Sequence, residues 1–368
     1  MSDDLLGRHD VLLADLDGTL YRGPDAVPGA VEAVRGAGER GVPTVYVTNN
    51  ASRSPDDVAG HLAELGFPAR THDVRTSSQA GAAMLAEQLP AGAAVLVVGT
   101  EALADQVRAV GLTVVDSADG AAAVVQGHSP DTGWRLLAEA TAAVRAGALW
   151  VATNVDPTLP TERGPMPGNG SMVGVVRIAS GAEPQVAGKP AARLLQEARD
   201  AGSSTSPLVI GDRLDTDIEG GNAIDAATLF VLTGVSTARD LLEAPENQRP
   251  TYIAADLAAL TRAPDDLAPG PRDGWRAEPD GETVVLSGDG GGGGPAGAPP
   301  RRRGGGALGR ERVDGHRARR RRRRRLGPAR ARSGLTPRDW QRSASGHVGC
   351  LTGVRTRRAA PAGPPRIP

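Results

Sequence analysis

From Val11 to about Ala258, short apolar runs alternate with amphipathic stretches. Val11–Ala14, Thr44–Val47, Leu208–Ile210 and Leu229–Leu232 read as strands, and their unbroken apolar character fits burial on both faces. Gly29–Arg40, Ser54–Leu65, Ala191–Ala201 and Thr216–Ala226 repeat apolar residues at helical spacing. Ser54 suits a helix cap, and Pro55 and Pro190 suit first helical positions. Strands alternating with helices predict an α/β fold with a parallel, doubly wound, Rossmann-like core.

A second α/β unit is predicted between Thr76 and Pro184. Ala94–Val98, Ala122–Gln126 and Leu149–Ala152 read as its strands, and Glu101–Val110 and Thr132–Ala146 as its helices. Polar motifs fall on both sides of this unit and almost none inside it. It therefore reads as an insertion placed to close over a site at the carboxyl ends of the core strands. The expected organisation is core at 1–75 and 185–262, inserted cap at 76–184, the start of a C-terminal module at 263–287, and a tail at 288–368.

Composition narrows the class. Aromatic residues make up 2% of the 368 residues, so aliphatic side chains must build the interior. No stretch reaches the apolar length of a membrane span, so no membrane partner is expected. Cys350 is the sole cysteine, which excludes an internal disulfide and points to the cytoplasm. The six histidines show no zinc spacing. Lys189 is the only lysine among 42 basic residues. Arginine cannot replace lysine where a compact point charge is required, so this ammonium is a candidate functional group.

The candidate chemistry lies at strand ends. Asp15-Leu16-Asp17-Gly18-Thr19 follows the first strand, and Thr48-Asn49-Asn50 follows the second. Gly188-Lys189-Pro190 precedes a helix, and Gly211-Asp212-Arg213-Leu214-Asp215-Thr216-Asp217 follows Leu208–Ile210. Asp15, Asp17 and Asp212 would repel one another at close range, and a hard divalent cation, Mg²⁺, relieves that repulsion through oxygen ligands. Thr48, Asn49 and Asn50 carry the hydroxyl and amide groups that suit phosphate oxygens. One free carboxylate to attack phosphorus, a second to move protons, and Lys189 to offset phosphoryl charge make up covalent catalysis through an aspartyl phosphate.

These four segments resemble the ordered motifs of the haloacid dehalogenase superfamily. The inserted unit, with Ala152-Thr153-Asn154-Val155-Asp156-Pro157 and Pro167-Gly168-Asn169-Gly170-Ser171-Met172, is similar to the large α/β cap of its NagD-like subfamily. Val98–Ala104 and Ala148–Gly164 look like glycerol-3-phosphate phosphatases of the mycobacterial type. The resemblance implies Asp15 as nucleophile and Asp17 as general acid/base. It implies Mg²⁺ held by Asp15, the Asp17 main-chain carbonyl and Asp212. It also implies phosphate held by Thr48, Asn49 and Lys189, with Asp217 supporting Lys189 or the metal. The acid at position 17 favours phosphate esters over haloacids or phosphonates.

Substrate choice falls to the cap, where Asn154 and Asp156 are the leading contacts and Glu162 and Arg163 share their loop. Gly168-Asn169-Gly170-Ser171 reads as a helix cap. The expected reaction is hydrolysis of a small phosphomonoester, with glycerol 3-phosphate foremost. Pyridoxal phosphate, phosphoglycolate, nucleoside monophosphates and sugar phosphates are the alternatives. A receiver-like module that holds an aspartyl phosphate as a signal is the reading from another class. A homodimer through the cap is a further expectation.

The charge balance is split. Acids outnumber bases 39 to 21 before residue 289, and 21 arginines face 4 acids from it onward. Arg319–Arg325 is one unbroken run. This tail is predicted to be disordered. It reads either as an arm for nucleic acid or, in preference, as the product of a shifted reading frame in a GC-rich gene.

Overall fold

The computed structural model describes residues 3–270, apart from Pro160 and Glu162, together with the strands at 275–280, 283–288 and 311–313. The core begins with β1 (Val11–Ala14), α1 (Ala30–Glu39), β2 (Thr44–Thr48), α2 (Pro55–Glu64), β3 (Val74–Thr76) and α3 (Ser77–Gln88). A second sheet follows, built from β4 (Ala94–Val98), α4 (Glu101–Ala109), β5 (Thr113–Val115), β6 (Ala123–Gln126), α5 (Trp134–Arg145), β7 (Leu149–Ala152), α6 (Asn169–Ser180) and β8 (Gln185–Val186). The chain then returns through α7 (Ala192–Ala201), β9 (Pro207–Gly211), α8 (Glu219–Ala223), β10 (Ala227–Val231) and β11 (Tyr252–Ala254).

The first sheet has the order β11-β10-β9-β1-β2-β3 and the second β8-β7-β6-β4-β5, with every pairing within the two sheets parallel. Side chains alternate across the core sheet, and both faces are covered. Leu12, Ala14, Tyr46, Leu208 and Ile210 pack on the side of α1 and α2. Val11, Leu13, Val45, Val47 and Val209 pack on the side of α3 and α7. That second cluster continues through Val95, Val125 and Val151, so one apolar mass joins the two sheets around α3. The remaining face of the second sheet is closed by α5 and α6 through Leu137, Val144, Val173 and Val176.

The chain order reverses at β1. Later strands build outward on one side of it and β2 and β3 on the other. In open α/β sheets this reversal opens a crevice at the carboxyl ends. Ala14 stands level with Ile210 on one neighbour and with Tyr46 on the other, so three strand tips end side by side.

Several local expectations change. Pro190 is not a first helical residue; α7 starts at Ala192, because Gly188 and Lys189 are drawn into contacts with Asn49. Thr216–Ala226 is not one helix. Leu214–Ile218 forms a wide π turn, and only then does α8 begin, which lets Asp217 turn back to the Arg213 amide at 3.1 Å. The second sheet extends past 184 to Gln185–Val186. Trp275–Asp280 and Thr283–Gly288 form an antiparallel hairpin. Glu311–Val313, inside the stretch read as disordered, pairs with that hairpin's edge. The rest of the tail reading lies outside the described residues. Among the described residues, no helix is long and apolar enough to cross a membrane.

Asp10 ties the start of β1 to the start of β9. It accepts bonds from the Thr205 amide (2.8 Å) and the Ser206 amide (3.1 Å), and also from the Ser204 hydroxyl. Desolvation works to raise its carboxyl, but the Ser204 hydroxyl and the two amides outweigh it and hold the group down at about 2. The unfolded carboxyl titrates near the ordinary ~3.9, so this stabilisation is complete above that value and is lost as the pH falls toward the folded one. Asp10→Ala is expected to cost about 1–2 kcal/mol at neutral pH, reduced by solvent screening at so exposed a site. Urea melts of the two proteins should converge as the pH drops through the acid range.

Candidate active site

Each strand tip delivers one polar group to the crevice. Asp15 follows β1, and its amide bonds to the Ile210 carbonyl at 2.9 Å. Thr48 is the last residue of β2, and Asp212 follows β9. Gly18 turns the chain away at φ +88°, and a Cβ there would lie 2.5 Å from Asp212 Oδ2, so no other residue fits between these segments. A cavity of ≈130 Å³ lies above them, and its walls include Asp15, Asp17, Thr48, Asn154, Asp156 and Lys189.

Lys189 is the charge centre. It is 2% exposed. Its Nζ lies 2.6 Å from Asp15 Oδ1 and 2.7 Å from Asp217 Oδ1, and donates to the Val47 carbonyl at 3.2 Å. Burial works to lower its pKa, but the Asp15 and Asp217 carboxylates outweigh this and hold it above the ordinary lysine value. The Asp15 value is raised too, by a different cause. Burial, reinforced by the Asp217 carboxylate, lifts its carboxyl well above the usual range against the pull of Lys189.

Asp212 is fully buried and accepts from the Val235 amide at 2.6 Å and the Thr19 hydroxyl at 3.3 Å. Burial and the Asp217 charge push its carboxyl up to about 6. Asp15, Asp212 and Asp217 each place a carboxylate oxygen within 4.8 Å of the others. Three carboxylates against one ammonium leave an excess of two negative charges, and every donor is a hard oxygen. That set fits Mg²⁺ in charge and in ligand type.

Asp17 opens onto the cavity without a basic partner in salt-bridge range among the described residues, and the protein around it raises its carboxyl by desolvation. Thr48 accepts from the Asn50 amide at 3.0 Å, so its hydroxyl proton points to other acceptors.

Three asparagines behave differently from their sequence reading. The Asn49 side chain is consumed as a clip. It accepts from the Lys189 amide at 2.8 Å and donates to the Lys189 carbonyl at 2.9 Å and to Asp156 at 3.2 Å. Asn50 Oδ1 accepts from the Ser52 amide and hydroxyl, at 2.8 and 2.7 Å. Asn154 Nδ2 donates to the Asn49 carbonyl at 2.7 Å, and its Oδ1 accepts from Asp156 N. All three line the cavity, but these amides hold loops together. Asp156 reaches the core through Asn49, with its carboxyl raised by burial.

Asn169 does not cap α6, which starts without a side-chain cap bond. Its amide reaches back instead to the carbonyls of Asn154 and Gln126. Arg163 is not among the cavity-lining residues, and Glu162 lies outside the described residues. The sequence reading missed Val235, Ser77 and His128. Val235 and Ser77 act through a backbone amide and a hydroxyl bond to the Asn49 carbonyl, neither of which leaves a motif.

Known proteins share this arrangement. A haloacid dehalogenase-like hydrolase family model matches residues 12–113, and a second HAD-like hydrolase model matches 186–260. The D-glycerol 3-phosphate phosphatase of Mycobacterium tuberculosis is 54% identical over 283 residues, spanning 77% of this chain and 79% of that one. The acid sugar phosphatase of Staphylococcus aureus is 37% identical over 252 residues, spanning 68% of this chain and 96% of that one. The crystal structure of the glycerol phosphate phosphatase from Mycobacterium tuberculosis in complex with magnesium superposes with a TM-score of 0.73 at 52% identity, covering 79% of this chain and 88% of that one. With four strand-end motifs gathered around one ammonium, and with relatives of this similarity, the chain belongs to the haloacid dehalogenase superfamily, as a magnesium-dependent phosphomonoester hydrolase.

Proposed function

We propose that the physiological ester is glycerol 3-phosphate and that Asp15 and Asp17 carry the reaction. The convergence of Asp15, Asp212, Asp217 and Lys189, with Asp15 and Lys189 on the wall of one small cavity, supports the chemistry. The substrate rests on the relative that shares more than half of its aligned residues. The cavity also favours a short ester, since ≈130 Å³ is well under the roughly 300–1,000 Å³ of pockets that take drug-sized ligands. Sugar phosphates are the second reading, supported by the acid sugar phosphatase relative. A single cysteine suits a reducing compartment, so the cytoplasm is the proposed setting.

In this reading Asp15 and Asp212, with the Asp17 main-chain carbonyl, hold Mg²⁺. Once bound, the ion neutralises their mutual repulsion and offsets negative charge on the phosphoryl oxygens. An Asp15 oxygen attacks phosphorus, the phosphorus–oxygen ester bond breaks, and its electron pair leaves with the glycerol oxygen. Asp17 gives that oxygen its proton. Burial keeps the Asp17 carboxyl raised, which favours the protonated form needed for this step. Asp17 then takes a proton from water as the water oxygen attacks the aspartyl phosphate, which releases inorganic phosphate and restores Asp15. Lys189 holds Asp15 in line and balances charge at the phosphoryl group, with Asp217 holding Lys189. Thr48 donates its hydroxyl to a phosphate oxygen.

Phosphate release across a panel of glycerol 3-phosphate, sugar phosphates, pyridoxal phosphate, phosphoglycolate and nucleoside monophosphates tests the reading. The highest kcat/KM is expected for glycerol 3-phosphate, and a preference for any other ester on the panel would overturn that choice. Asp17→Asn is expected to lower kcat/KM, which covers the steps through departure of the alcohol and not the later hydrolysis, about 10²–10⁴-fold for an alkyl ester. The loss should be much smaller for p-nitrophenyl phosphate, whose leaving group departs readily as an anion. Equal losses on both esters would remove Asp17 from its role as acid.

A further inference from the structure

We propose that His128 and Asn169, both contributed by the second sheet, recognise the hydroxyl groups of the alcohol portion and so select polyol phosphates over simple alkyl phosphates. The inference rests on the phosphomonoester reading of the same cavity and extends it to the end away from phosphorus.

The observation is a set of polar atoms without partners. Gln126, His128, Thr153 and Asn169 sit around the carboxyl ends of β6 and β7 and the start of α6, and each carries a buried side-chain polar atom that bonds to no described residue. Such atoms are uncommon in folded proteins because leaving one unpaired costs its full desolvation. Of these four residues, only His128 and Asn169 line the cavity that holds Asp15 and Asp17.

Asn169 is 2% exposed, and its orientation is set by its own bonds. Its Nδ2 donates to the Asn154 carbonyl at 2.7 Å and to the Gln126 carbonyl at 3.2 Å. The amide oxygen is therefore the unpartnered end, an acceptor that needs an O–H or N–H. His128 offers an unpartnered Nδ1, which can donate or accept according to tautomer. The backbone holds it in place. A Cβ on Gly127 would lie 3.1 Å from Ala51 Cβ, from Leu103 Cδ2 and from Thr153 Oγ1, so the segment is wedged against the core loop after β2.

A phosphate dianion offers no donor to the lone Asn169 acceptor. A hydroxyl-bearing carbon chain does, since each hydroxyl supplies one donor and an acceptor oxygen. Glycerol 3-phosphate, with two hydroxyls beyond the ester carbon, presents both.

The test compares glycerol 3-phosphate with n-propyl phosphate, which keeps the three carbons and lacks the hydroxyls, using the full chain with Mg²⁺. The unmodified enzyme is expected to prefer glycerol 3-phosphate in kcat/KM. His128→Phe, which keeps ring volume without nitrogen, should erase about tenfold of that preference, mostly through KM. Turnover of n-propyl phosphate should stay within about twofold, which reports an intact fold and catalytic centre. His128→Asn, which returns an amide near the Nδ1 position, should recover part of the preference. An unchanged ratio in His128→Phe, or equal loss on both esters, would overturn the proposal while leaving the phosphatase reading intact. No phosphate release from either ester by the unmodified enzyme would instead remove the underlying reading and the proposal with it.

Discussion

Replacing Asp15 with asparagine is expected to abolish phosphate release, by about 10⁴-fold or more, without loss of folding. An amide has no anionic oxygen to attack phosphorus, and no other described carboxylate both touches Lys189 and opens onto the cavity. Stability should hold or rise. Asp15 sits in the floor against two other carboxylates, and burial with Asp217 already disfavours its charge. The variant removes that repulsion while Lys189 keeps Asp217 at 2.7 Å. Thermal melts without added metal should place the variant at or above the unmodified protein. Brief exposure to labelled ester should leave a base-labile phosphoprotein in the unmodified enzyme and none in the variant. Turnover within tenfold of normal would take the nucleophile away from Asp15.

Lys189→Met is expected to be the most destabilising single change at the site, by about 3–5 kcal/mol, because it leaves buried carboxylates without their cation. Lys189→Arg restores the charge but not the shape. The ammonium meets Asp15, Asp217 and the Val47 carbonyl within 3.2 Å from a position 2% exposed, and a planar fork does not fit three acceptors arranged around one atom. Activity should be lost in both variants, and stability should recover only partly in the arginine one. Because the folded pKa of Lys189 lies above the ordinary value, its contribution is complete at neutral pH and fades only as the pH rises beyond the usual lysine range. Chemical denaturation at neutral pH measures the cost. A fully active Lys189→Arg enzyme would refute the point-charge argument.

The asparagines show where sequence reading stops. In Thr48-Asn49-Asn50 the amide types suit phosphate, yet Asn49 clips the Lys189 loop to Asp156, 107 positions away, and Asn50 closes a turn on Ser52. An amide binds whichever groups come within 3 Å, and its neighbours in the chain do not state what those are. The π turn at Leu214–Ile218 is similar. Thr216–Ala226 reads as one helix, but Asp217 is drawn inward by Lys189, and a wider turn accommodates it.

What the chain alone determined was set by burial and by residue type. Short, mostly apolar strands are satisfied inside a two-sided parallel sheet, and the carboxylates that follow two of them, Asp15 and Asp212, emerge together at its carboxyl edge. A lone lysine among arginines marked the place where a compact charge is needed. Folding alone decided which polar groups face the ester and which hold the loops, and it brought Val235 to Asp212 and His128 to the cavity wall. Those neighbours come from segments set apart along the chain, and hydrogen bonds act over a few ångströms in space with no regard for that separation.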